Sequence, residues 1–218
     1  MKYIKLFFYY LYSTYFCLRY LPFSQAKKIP ILIHPSVRIL QLHIGDIVIN
    51  GKLRKAMIVL GFKGSFGRCN RVTQLFVNRG GHLVFNGYTR LAKGCVLYVN
   101  RGTILFGKNN TFNSDCFFSC YEHISFGCDI MCGWNVSFVT TNGHVVIIDG
   151  NERKIDAPIT IGNHVWIGSD SVINKNVNVT NNCIISHYSF VVSNLYEEYC
   201  IYGGHPAKKI KENADWKR

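Results

Sequence analysis

Apolar residues recur along this chain at an interval of six. Counting from Phe106, they fall at Phe112, Phe118, Ile124, Ile130 and Val136. Counting from Ile155, they fall at Ile161, Ile167, Ile173, Val179, Ile185 and Val191. An α-helix repeats near 3.6 residues and an open strand at 2, so neither produces this rhythm. A six-residue repeat predicts a parallel β-helix, an all-β fold. Each hexapeptide gives one short strand and one turn, and three make a triangular coil of about 18 residues. Coils stack at about 4.8 Å, the spacing of strands in a sheet, and the recurring apolar residues point inward.

The position two before each of these residues is expected to point inward and to be small. Its occupants include Cys116, Cys128, Val165, Ser171, Val177, Cys183 and Ser189, while Glu122 and Trp134 break the rule. Cysteine at such a place acts as a small hydrophobe. The pairs Cys116/Cys120 and Cys128/Cys132 lack the usual spacing of zinc ligands, and no metal site is expected.

The two periodic blocks are out of phase, because Val136 and Ile155 are 19 residues apart. The segment between them, 140–154, must leave the coil as a loop. It is rich in turn formers (Thr140, Thr141, Asn142, Gly143, Asp149, Gly150, Asn151) and carries His144 at its root. Loops held on rigid scaffolds are common places for chemistry. The organisation read from the chain is an aromatic N-terminal helix (1–28), lead-in strands (29–75), the β-helix (76–193), and a C-terminal loop and short helix (194–218).

Composition narrows the partners. The 218 residues carry a formal charge of +13, which favours phosphorylated cofactors, acidic glycans or anionic membrane surfaces. No run of five basic residues and no nucleic-acid motif is present, so nucleic acid is not expected. Nine cysteines, an odd count, suit reduced thiols in the cytoplasm. The apolar run between Lys5 and Arg19 has 13 residues, short of the roughly 20 that span a bilayer. It fits a helix lying at the inner membrane face, or one packed on the protein's own body or a partner subunit.

"PITIGNHVWIGSDSVI" and "GGHPAKKI" resemble the hexapeptide-repeat acyltransferases, whose β-helix is left-handed. The stretches "LPFSQAKKIPILI" and "AMIVLGFKG" resemble, more loosely, the bacterial branch that decorates capsule and exopolysaccharide. The resemblance implies a homotrimer with acetyl-CoA lying between adjacent β-helices and a glycan or sugar acceptor. It places His144, in "TNGH", as the base and Asn113, in "GKNNTFNSD", at the reacting centre. It places Trp166, Gly168, Ser169, Ser186, His187, Gly204, Lys208 and Lys209 along the cofactor, and Tyr121, Trp134 and Asn142 on the acceptor side. Three departures stand out. Tyr121 occupies the place of a usual acidic residue, Asn142 that of a usual aspartate, and "SHYS" (Ser186–Ser189) replaces Gly-Ala-x-Ser. His164 reads as an outward structural residue.

The implied function is acetyl-CoA-dependent O-acetylation of a sugar hydroxyl. Histidine suits the task of removing the hydroxyl proton, since it titrates near neutral pH. Alternatives from the same fold are N-acetylation of an amino sugar, a γ-type carbonic anhydrase needing three zinc histidines, and a non-catalytic assembly module.

Overall fold

A computed structural model describes residues 2–65, 71–78 and 80–218, with the side chains of Lys2 and Tyr3 outside the description. The chain winds as a left-handed parallel β-helix of three faces. Face 1 stacks Ile31–Ile33, Ile58–Leu60, Thr89–Leu91, Asn110–Phe112, Met131–Cys132, Trp166–Ile167 and Ile184–Ile185 in parallel register. Face 2 has seven strands, from Arg38–Gln41 to Phe190–Val191, and face 3 has six, from Ile47–Ile49 to Val177–Val179. The stretch expected to lead into the β-helix therefore forms its first turns, apart from 66–70, which lie outside the described residues.

Twelve of the thirteen six-spaced apolar positions are buried; Ile155, at the exit of the loop, is only half-buried. Coil length differs from the expected 18 over much of the chain. Ile159 sits beside Val177, 18 residues on, but Ile104 sits beside Ile124, 20 residues on. The longer coil has four-residue strands at Phe117–Cys120 and His123–Phe126, where the shorter has three at Val172–Asn174 and Val177–Val179. Its wider interior holds phenylalanines stacked rung on rung. Phe85, Phe106 and Phe126 follow one another at 5.0 and 5.4 Å with nearly parallel rings. Below them Ile161 and Val179 continue the same column in the narrower coils.

The corners explain much of the asparagine and aspartate content. Asn109, Asp115, Asp129, Asn135, Asp170, Asn176 and Asn182 all have φ between 55° and 68°. Short polar side chains tolerate this left-handed conformation best. His164 and Tyr188 take the same conformation, at φ 54° and 55°, and are bulky exceptions, as are Arg101 and Tyr199 at 66° and 57°.

Face 1 is covered at both ends of the stack, which satisfies edge groups that would otherwise pair with other chains. Helix α1 (Lys2–Tyr20) lies along the first rung of face 1, where Ser13 Oγ accepts from Ile33 N at 3.0 Å and Phe16 and Cys17 are buried. At the other end the expected C-terminal helix is instead an antiparallel hairpin of Ile201–Gly204 and Ala207–Lys211. The open edge decides this: Ile184 N and Ser186 N donate to Cys200 O and Tyr202 O, pairing that a strand supplies and a helix cannot. No helix among the described residues is long and apolar enough to cross a membrane.

Candidate functional site

The residues singled out from sequence divide between two edges of the prism. Asn113, Trp134, Gly168, Ser169, Ser186 and His187 stack along the corner where face 1 turns into face 2. A Cβ on Gly168 would meet His187 N at 2.5 Å, so only glycine fits between those rungs. Trp134 N donates to Ser169 Oγ at 3.0 Å, and Ser169 N donates to His187 Nδ1 at 3.1 Å. The backbone donor nominated at Ser169 is thus already engaged by the His187 ring. Trp166 projects outward from face 1 between Met131 and Ile184 and is half-buried. The C-terminal hairpin brings Gly204 and Lys208 beside this edge, since a Cβ on Gly203 would meet Ser186 Cβ at 3.0 Å. Lys208 is exposed and makes no ion pair among the described residues. Lys209 is held by Glu197 at 2.7 Å and Glu212 at 2.6 Å, which pushes its pKa up.

Asn113 is the best-defined member of the set. Its Oδ1 accepts from Ser65 N at 3.2 Å and Ser114 N at 3.1 Å. Backbone N–H groups can only donate, so the oxygen must face them and the amide nitrogen is turned away as a donor. A cavity of about 370 Å³ opens here, lined by Ser65, Arg90, Thr111, Asn113 and Met131 among others. Ser65 also accepts from Trp134 Nε1 at 3.1 Å. The six-residue rhythm gave no sign of this clasp, because Ser65 lies in an insertion between two strands.

His144 and Asn142 lie elsewhere. Their loop leaves and rejoins at the corner between faces 2 and 3, where Thr141 pairs with Asp156 and Ala157 N donates to Thr140 O. Ile124 consequently sits beside Ile159, 35 residues on. Beyond the root the loop forms an exposed hairpin, Val146–Ile148 with Asn151–Arg153. Asp149 and Gly150 at its tip have φ 51° and 75°, the two-residue turn that twists with its strands. The His144 ring is exposed and unbonded among the described residues. Tyr121 belongs to this edge, its N–H donating to Thr140 Oγ1 at 2.8 Å. No hydrogen bond, ion pair or ring contact among the described residues joins the two edges.

The third edge, between faces 3 and 1, holds the chain's end. His164 Nδ1 lies 2.6 Å from Asp129 Oδ2 and its Nε2 lies 3.0 Å from Asp215 Oδ1. Trp216 stacks on the His164 ring at 4.4 Å, and Arg218 bonds Asp129 at 2.7 Å and Thr111 at 2.9 Å. Burial opposes charge on His164, but the two carboxylates outweigh it and raise its pKa. His164 thereby ties the C-terminal tail to the coil. Its role in pinning the tail had no sequence signal. Burial also pushes the Cys17 thiol up to about 11 and Cys120 and Cys183 to about 12, so these core cysteines stay protonated.

Galactoside O-acetyltransferase of Escherichia coli is 34% identical over 94 residues, covering 42% of this chain and 45% of that protein. A chloramphenicol acetyltransferase of Klebsiella aerogenes is 42% identical over 52 residues, 24% of each. The crystal structure of the polySia-specific acetyltransferase NeuO superposes with a TM-score of 0.62 at 19% identity, covering 87% of this chain and 79% of that one. The chain resembles the hexapeptide-repeat acetyltransferases. No family model matches it. The matches span less than half the length of these curated relatives. At Ser186–Ser189, Tyr188 is two-thirds exposed in a left-handed conformation, and His187 caps the Ser169 amide.

Proposed function

We propose that the protein is an acetyl-CoA-dependent O-acetyltransferase acting on a sugar hydroxyl, and that its site is completed only between copies. The carrying observation is the division of candidates between two edges. The edge of Asn113 offers a shelf of close-packed backbone, an outward tryptophan and a free lysine, features that fit an extended cofactor. The edge of His144 offers an exposed imidazole on an arm. A homotrimer packed about a three-fold axis sets one edge of each copy against a different edge of its neighbour, which brings the two halves together.

Acetyl-CoA supplies the acetyl group as a thioester. Trp166, Gly168, Ser186 and Lys208 would hold it, with Lys208 toward its phosphates. His144 takes the proton from the acceptor hydroxyl on an unprotonated ring nitrogen as that oxygen attacks the thioester carbon, and passes it to the CoA sulfur as the C–S bond breaks and free CoA leaves. Asn113, its carboxamide fixed by Ser65 and Ser114, points Nδ2 to where negative charge develops. Holding both partners against a rigid groove supplies the orientation term. Tyr121, Asn142 and Trp134 are the acceptor-side contacts of this reading.

The test is release of free CoA from acetyl-CoA across a panel of neutral and acidic sugars and amino sugars. The expected result is turnover that requires a sugar hydroxyl and vanishes in His144→Ala. Turnover only with amino sugars would make the reaction N-acetylation, and no binding of acetyl-CoA would overturn the enzymatic reading.

A further inference from the structure

Charge is divided along the coil axis. Residues 1–114 hold 17 Lys and Arg against one acidic residue, Asp46. Residues 115–218 hold 8 Lys and Arg against 11 acidic residues. Because the chain climbs the β-helix rung by rung, the described basic residues of 1–114 lie toward the α1 end and most of the acidic residues toward the C-terminal hairpin. A basic surface spread by chance would not segregate in this way.

The same end carries an unpartnered apolar stripe. Ile4, Phe7, Phe8, Leu11, Tyr15 and Leu18 repeat at helical spacing along α1, each between 52% and 65% exposed. They lie opposite Ser13, Phe16 and Cys17, which pack on the first rung. Beside the helix runs the exposed loop of Lys52, Arg54 and Lys55, with Lys55 Nζ 4.1 Å from the centre of the Tyr10 ring. This loop, with Lys108 and Tyr88, lines a cavity of about 520 Å³.

We propose that this end docks on an anionic membrane surface. The stripe of α1 lies in the interface, and Lys52, Arg54, Lys55 and Lys108 receive lipid headgroup phosphates. A helix not long and apolar enough to span, with an apolar face beside basic residues, is the interfacial pattern. Juxtaposed Lys and Arg add attraction to anionic lipid that falls off within a Debye length. An acidic glycan would account for the charge alone and leave the stripe unexplained. The docking does not depend on the acyl-transfer reading.

The experiment is cosedimentation of the full chain with vesicles of phosphatidylcholine alone or mixed with phosphatidylglycerol. We expect binding to the mixed vesicles only, weakened by salt. Lys52→Glu/Arg54→Glu/Lys55→Glu should lower the partition on the order of 10²-fold. Phe7→Ser/Phe8→Ser should abolish it while leaving thermal unfolding and mass by light scattering unchanged, because both rings are exposed. Absence of vesicle binding, or equal binding to neutral vesicles, would overturn the proposal. So would a change of mass in the Phe7/Phe8 variant, which would make the stripe a contact between copies. Binding that a soluble polyanionic glycan displaces and that ignores Phe7 and Phe8 would overturn it in favour of an acidic polymer.

Discussion

The edge that carries Asn113 and the edge that carries His144 are built in opposite ways. The first is made of rungs packed so closely that Gly168 cannot accept a methyl group, and its side chains are fixed by backbone donors. The second is an arm attached at its root, with His144 exposed beyond it. The repeat supplies registration and the interruption supplies reach. A cofactor-length groove needs the former. A base that must meet a neighbouring copy needs the latter.

The comparison breaks most sharply at His144, the proposed base. His144→Ala should lower kcat by about 10²- to 10⁴-fold, the usual cost of losing a general base, with unfolding temperature unchanged. The ring fills no core space, so no cavity follows. Steady-state CoA release together with calorimetry reads both quantities. Activity within a few-fold of the wild type would assign the loop a structural role and leave the proposed mechanism without its proton acceptor.

On the other edge, Asn113→Asp keeps the oxygen that Ser65 and Ser114 need and removes the donor. Loss on the order of 10²- to 10³-fold in kcat is expected, as for other donors aimed at a developing oxyanion. Mixing His144→Ala chains with Asn113→Asp chains sharpens the point. If each site joins two copies, random trimers regain intact sites at about a quarter of positions. If each site lies within one copy, refolded mixtures recover nothing. Activity of the mixture against the two separate variants decides between them.

A smaller effect tests the rigidity of the shelf. Gly168→Ala forces a Cβ against His187 N and should cost about 1–3 kcal/mol by overpacking, seen as a lower midpoint in denaturant. Gly143→Ala bears on the other edge. No atom lies within 4 Å of its would-be Cβ, and the only penalty is its φ of 73°. A larger loss at Gly143 than at Gly168 would reverse the contrast between shelf and arm.

How much of this was legible in the chain follows from how locally each feature is determined. The inward column was readable because each coil repeats one steric demand, and Phe106, Phe112 and Phe118 meet it. The phase slip before Ile155 exposed the loop for the same reason. The coil length was misjudged because phenylalanines two residues apart from a second inward position, as at Ile124 and Phe126, need a wider ring than the count of six implies. The C-terminal hairpin was unreadable because "AKKIK" is paired by a distant edge rather than by its own propensity. The Ser65 clasp on Asn113 spans 48 residues of sequence and leaves no periodic trace.

The tail on the third edge provides the mildest test, one that should leave both other edges alone. His164 lies between Asp129 and Asp215, whose hydrogen bonds and charges raise its pKa in the folded protein against the opposing effect of burial. A raised pKa means that its stabilising contribution is complete below the unfolded value, about 6.5, and fades as pH rises through the folded one. Asp129 is depressed: its burial acts upward, but hydrogen bonds from Arg218 and His164 prevail. Asp215 is depressed by the Trp216 amide and then by His164. Their contributions run the other way, present above the usual carboxylate range and lost as pH falls. The tail is therefore held most firmly in mildly acidic solution, between the two limits. His164→Asn keeps a residue suited to φ 54° and removes the titration. Trp216 emission in the wild type should shift between acidic and alkaline pH as the tail loosens, and the shift should vanish in the variant. A wild-type profile as flat as that of His164→Asn would mean that Arg218, bonded to Asp129, Thr111 and two backbone carbonyls, holds the tail without help from the histidine's charge.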